Sequence, residues 1–96
     1  RISIYQLSAL FGRSMIYVQR VLNEMERCGL ISKVSSKDGN NVELTKKAQE
    51  IFSLGFQALY KEIQRIPQLY RVDSLLILSL VKLSLKDSHD RMIFLQ

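Results

Sequence analysis

The segment between Ser14 and Gly29 constrains the fold more than any other. Met15, Val18, Leu22 and Met25 recur at spacings of 3, 4 and 3, with Val21 and Cys28 flanking the stripe. A period near 3.6 puts them on one side of an α-helix of about four turns. Tyr17, Arg20, Asn23, Glu24 and Arg27 fall on the other side, which is polar. Ser14 reads as the N-cap, and Gly29 as the stop after which Leu30 and Ile31 resume the apolar pattern. Upstream, Ile2 to Ile4 is a short β-branched start, and Ser3 or Ser8 caps the next element. There, Tyr5, Leu7, Leu10 and Phe11 place apolar groups on a short helix that Gly12 ends. Two helices joined by a short glycine-containing turn have the form of a helix-turn-helix, a form that a plain helical hairpin shares.

The segment after Gly29 separates the two. Ile31 to Ser35 alternates apolar and polar residues, Lys37-Asp38-Gly39-Asn40-Asn41 is a turn cluster, and Val42 to Leu44 alternates again. A β-hairpin directly after a helix-turn-helix is a wing, here spanning 31–44. Its polar tip carries Lys33 and Lys37, which suits the edge of a DNA groove. Thr45 caps a further helix. Phe52, Phe56, Leu59, Ile63, Ile66 and Tyr70 come next at spacings of 4, 3, 4, 3 and 4, a heptad-like seam. Pro67 predicts that this helix kinks or stops near Ile66. Asp73 or Ser74 caps a last helix, Leu75 to Leu85, apolar on nearly every side and therefore in need of burial. Lys86-Asp87-Ser88-His89-Asp90 reads as a polar break, and Met92 to Leu95 as a short apolar tail.

A chain of 96 residues, 47% hydrophobic and 24% charged, reads as one soluble globular domain with little room for a deep core, so a partner subunit is expected to supply part of its burial. The net charge of +5 and pI near 9.6 point to a polyanionic partner, nucleic acid or an anionic membrane surface. The apolar run Leu75 to Leu85 is about half the ~20 residues a membrane span needs, and serines and Lys82 interrupt it. No membrane association is expected. A single cysteine, Cys28, cannot form an internal disulfide, and no signal peptide is visible, so a reducing, cytoplasmic setting is expected. The start at Arg1 instead of methionine reads as a fragment or a processed product. One histidine, His89, and one cysteine far from it cannot build a zinc site of the usual kind. There is no glycine-rich phosphate loop and no nucleophile motif. No enzyme, catalytic residue, metal or cofactor is expected, and His89 reads as a solvated loop residue.

Met25-Glu26-Arg27-Cys28-Gly29-Leu30-Ile31, followed by Val42, Leu44 and Thr45, resembles the end of the recognition helix and the wing of MarR-type transcriptional regulators. Arg20 falls where that family's recognition helix usually has an arginine. The resemblance covers roughly Ile4 to Ile51. It implies a winged helix-turn-helix that binds double-stranded DNA as a dimer. Two positions depart from the family pattern. Gly39 and Asn40 stand in place of the wing arginine that enters the minor groove, and Ala48 replaces a usual glycine. The family's N-terminal dimerisation helix has no counterpart, so either it precedes Arg1 or dimerisation falls to the C-terminal helices. Members often bind a small effector between the dimer and DNA-binding regions; the resemblance assigns no residue of this chain to such a pocket.

The expected fold is mostly α with a small β-hairpin: a winged helix-turn-helix (1–51) followed by C-terminal dimerisation helices (52–96). With Ser14 to Cys28 in the major groove, Gln19 suits adenine and Arg20 guanine. Asn23 lies on the same outward part, as do Met15 and Ile16, and Tyr17 reaches a phosphate or a thymine methyl. Arg13, Ser14, Lys33 and Lys37 suit the backbone, positioning the domain without specifying sequence. Plainer roles stand beside these. Arg20 can pair with Glu24, Tyr17 can be a half-buried core edge, and Cys28 a small buried hydrophobe. Lys46 and Lys47 suit a solvated helix start. A homodimer interface is expected through Phe52, Phe56, Leu59, Ile63, Leu76 and Leu80; intrachain core is the alternative for the seam, and the all-round apolar helix beside it favours the interface. The rival functions are a winged helix used for protein contact and the DNA-binding part of a replication or partition protein.

Overall fold

Local capping sets where the chain changes direction. The computed structural model describes residues 2–37 and 39–95, with side chains except at Ser36 and 85–95. Ser3 ends a two-residue strand, β1 (Ile2–Ser3), and starts α1 (Ile4–Phe11). Its hydroxyl accepts the Gln6 N–H at 2.9 Å while the Gln6 side-chain oxygen accepts the Ser3 N–H at 3.2 Å. This reciprocal box satisfies two donors at the helix start. Ser8 lies inside the helix instead. Gly12, at φ +70°, closes α1, and Ser14 opens α2 (Met15–Arg27) by accepting the Tyr17 N–H at 3.2 Å. At the far end, the Leu30 N–H returns to the Met25 carbonyl at 3.0 Å and the Gly29 N–H to the Glu26 carbonyl at 2.9 Å. With Gly29 at φ +76°, this is the paired closure that a glycine just past a helix permits.

β2 (Ile31–Ser36) and β3 (Gly39–Leu44) form the expected hairpin, with Ile31 opposite Leu44 and Lys33 opposite Val42. Asp38 of the expected turn lies outside the described residues. The sheet is larger than a hairpin. β1 pairs antiparallel with the other edge of β3, Ile2 opposite Val42, giving the order β1-β3-β2.

The inward stripe of α1 is Ile4, Leu7 and, in part, Phe11, while Tyr5 and Leu10 are exposed. The pairing of Ile2 and the cap at Ser3 fix the phase of the helix, and its 3.6-residue period then turns Tyr5 away. On α2, Val18, Val21, Leu22 and Met25 are buried. Met15 is 41% exposed, because helical side chains lean toward the N-terminus and Met15 is the first residue.

Thr45 caps α3 (Lys46–Leu54). Its hydroxyl accepts the Ala48 N–H at 3.1 Å and donates to the Gly29 carbonyl at 2.6 Å, which locks the start of α3 to the end of α2. The continuous helix expected from Phe52 to Ile66 is broken at Gly55. Its φ of +110° and ψ of −177° lie in a region that essentially only glycine enters, and α4 (Phe56–Ile63) starts afresh. A 3₁₀ turn (Gln68–Tyr70) succeeds Pro67 and leads into α5 (Arg71–Leu95). Asp73 and Ser74 sit inside α5 and do not cap it. The backbone stays helical through 86–90, where a polar break was expected. No glycine or proline is there to stop it, and the polar residues present are tolerated in a helix. The side chains of Asp87, His89 and Asp90, and those of Met92 to Leu95, lie outside the described residues.

One core joins these elements. It includes Leu7, Leu22, Met25, Val42, Ile51, Ile63, Ile77 and Val81, so the regions 1–51 and 52–96 share it. α5 packs on both α2 and β3.

Candidate functional site

The outward side of α2 is a stripe of Ile16, Gln19, Arg20 and Asn23, all exposed and held from behind by Val18, Val21, Leu22 and Met25. Gln19, Arg20 and Asn23 were expected there. Arg20 does not pair with Glu24, because the Glu24 carboxylate takes the Arg27 guanidinium at 2.9 Å. The charge of Arg20 therefore faces outward with no carboxylate partner among the described residues.

Tyr17 turns the other way. Its hydroxyl donates to the Asp73 carboxylate. Its ring centroid lies 6.1 Å from that of Tyr70 at an interplanar angle of 60°, and the Arg13 guanidinium sits 5.1 Å over it. The hydrogen bond to Asp73, then partial burial, hold the phenol above the usual tyrosine range. Tyr17 thus braces α2 against α5, the half-buried alternative, with its donor already committed. Arg13 stays exposed, and the Ser14 hydroxyl oxygen is occupied by the cap. Sequence reasoning missed Asp73 and Tyr70 as partners. One signal was available: Asp73 is the only acid between Glu62 and Asp87, in an apolar helix where a carboxylate needs a partner.

The lysines divide. The Lys33 ammonium donates to Asn23 Oδ1, so two residues expected to act separately are joined across β2 and α2. Lys37 is exposed at the end of the hairpin. Lys47, expected to be solvated, donates to the Cys28 carbonyl at 3.0 Å and lies 3.5 Å from the Glu62 carboxylate. The C-terminal end of α2 offers it both a dipole and a carbonyl. Cys28 is buried, its Sγ 3.9 Å from the Arg65 carbonyl.

Comparison with known proteins finds no match. No family profile, no curated protein and no solved structure matches the chain. Among the described residues no three His, Cys, Asp or Glu side chains group to hold a metal ion, and no helix is long and apolar enough to cross a membrane.

The expected interface residues are dispersed. Ile63 is 2% exposed, buried in the chain's own core, and so is removed from any partner surface; the break at Gly55 separates it from the line of Phe52. Phe52 is half-buried with the Lys82 ammonium 4.5 Å over its ring, and Leu59 and Leu80 are also half-buried. Phe56 is 74% exposed and stacks on Tyr60 at 6.2 Å. Leu76 is 50% exposed and belongs to a different line. Val72, Leu76, Ser79 and Leu83, at spacings of 4, 3 and 4, are all exposed on α5. Every charge on α5 before Ser84 is tied into its own chain. Arg71 donates to the Ile66 and Gln64 carbonyls at 2.9 and 3.1 Å, Asp73 accepts from Tyr17, and Lys82 covers Phe52. The Ser79 hydroxyl donates to the Leu75 carbonyl at 2.9 Å. The result is an uncharged seam along one side of the helix.

Proposed function

We propose that the chain is a winged helix-turn-helix transcriptional regulator that binds double-stranded DNA as a homodimer, with α2 in the major groove and the β2–β3 hairpin beside it. The observation that carries this reading is the outward stripe of α2, where Gln19, Arg20 and Asn23 stand exposed and Arg20 has no carboxylate partner among the described residues. These are the side chains that pair with base edges in the major groove. Arg13 and Lys37 supply cations for phosphates, and the net charge of +5 acts in the same direction. The resemblance of Met25 to Ile31 and of Val42 to Thr45 to MarR-type regulators supports it too. With no arginine in the hairpin turn, more of the contact falls on Gln19 and Arg20.

The uncharged seam on α5 supports the dimer. A two-fold axis pairs the same patch of two copies, and it presents two α2 helices to the two halves of a palindromic site.

Fluorescence anisotropy with labelled duplex DNA tests the reading. Affinity should fall steeply between about 50 and 200 mM salt, with a log–log slope near −0.9 per phosphate neutralised. Binding that is absent or indifferent to salt removes the DNA reading. It leaves a protein-contact module, which the exposed Tyr5, Leu10, Met15 and Ile16 on α1 and α2 favour.

A further inference from the structure

Packing does not explain the outward residue Ile16. It is 70% exposed in the first turn of a helix whose start is fixed by the Ser14 cap. The next two residues both turn inward: Tyr17 onto Asp73 and Tyr70, and Val18 into the core. The exposure of Ile16 therefore comes from the register of a capped helix and not from a loose end. A β-branched residue in a helix keeps essentially one side-chain rotamer, so Ile16 projects as a stiff apolar group one turn before Gln19 and Arg20. Met15 beside it is more flexible and less exposed, and specifies less.

Base edges display one apolar group in the major groove, the C5-methyl of thymine. Tyr17, the other candidate for touching it, has its hydroxyl and ring engaged by α5. We infer that Ile16 reads a thymine methyl, so that the bound site carries a thymine within about two base pairs of those met by Gln19 and Arg20. One helical turn advances 5.4 Å against a base-pair rise near 3.4 Å. The inference rests on the DNA reading above and adds the chemistry of one base to it.

The test uses the whole chain and a random duplex DNA library. The site it selects is remade with each thymine replaced singly by uracil, which removes only the methyl group. One uracil position per half-site should weaken binding about fourfold, the factor for one buried methyl. That penalty should vanish in Ile16→Ala and persist in Gln19→Ala. Ile16 is exposed, so its replacement leaves the core intact; unchanged circular dichroism checks this. A selected site with no uracil-sensitive position, or a penalty that survives in Ile16→Ala, overturns the inference and leaves DNA binding standing. A library from which nothing is enriched overturns both, and returns Ile16 to a protein-contact surface.

Discussion

The Tyr17 hydroxyl donates a hydrogen bond to the Asp73 carboxylate, which joins the first half of α2 to the first turn of α5 across 56 residues of sequence. A hydrogen bond to a charged group stabilises by roughly 1.5–3 kcal/mol when buried, and this one is half-buried, which puts it near 1 kcal/mol. A double-mutant cycle of Tyr17→Phe and Asp73→Ala, read by urea unfolding, should show a coupling of about that size. Additive effects of the two substitutions would dissolve the brace.

The same contact predicts a pH dependence. Asp73 favours the protonated phenol, so Tyr17 titrates above its ordinary value of 10.0 in the folded chain. A group whose pKa is raised by folding contributes stability that is complete below the unfolded pKa and lost as pH rises through the folded one. The melting temperature should therefore fall faster above about pH 10 in the parent chain than in Tyr17→Phe. Parallel profiles for the two proteins would show that folding does not shift this tyrosine.

Gly55 separates α3 from α4 at a backbone conformation other residues avoid. Apart from its own chain neighbours, no described atom lies within 4 Å of where a Cβ would stand, so substitution there meets no steric contact from the rest of the fold. Gly55→Ala should lower stability by about 1–3 kcal/mol through backbone strain alone. In a continuous helix the same change would raise stability by up to about 1 kcal/mol. The sign of the shift in a denaturant melt decides between a broken and an unbroken seam.

Ile63 and Leu76 should respond in opposite ways. Ile63→Ala removes a core side chain and should cost about 2–5 kcal/mol in the isolated chain. On the proposed pairing through α5, Leu76→Glu combined with Leu83→Glu should leave the circular dichroism spectrum unchanged, convert a dimer to a monomer in sedimentation, and weaken binding to a two-half-site DNA at least tenfold, because the linked second contact is lost. A doubly substituted chain that still sediments as a dimer would place the subunit contact away from α5.

The features legible in the sequence were local ones. Ser14, Gly29 and Thr45 declare helix ends through their own chemistry, and all three perform the capping their positions imply. The outward placement of Gln19, Arg20 and Asn23 came from period alone. The features that escaped depend on partners distant in the chain. β1 is two residues long and exists because Val42 lies opposite Ile2. Tyr17 turns inward because Asp73 is there to meet it. Gly55 looks harmless in a heptad pattern, since a single glycine is tolerated in many helices, and its conformation decides the break. On α5, apolar residues surround the helix, so the pattern alone does not say which side the core takes.

On the DNA reading proposed above, the bond from Lys33 to Asn23 constrains what Asn23 can recognise. An asparagine that reads adenine needs both ends of its amide: oxygen to accept from the exocyclic amine, nitrogen to donate to N7. Here one of that oxygen's two lone pairs is taken by the ammonium. In the proposed complex an Asn23 that keeps this bond would read adenine only if its oxygen served the ammonium and the base at once, so the Lys33 side chain of β2 sets the angle at which the amide meets a base.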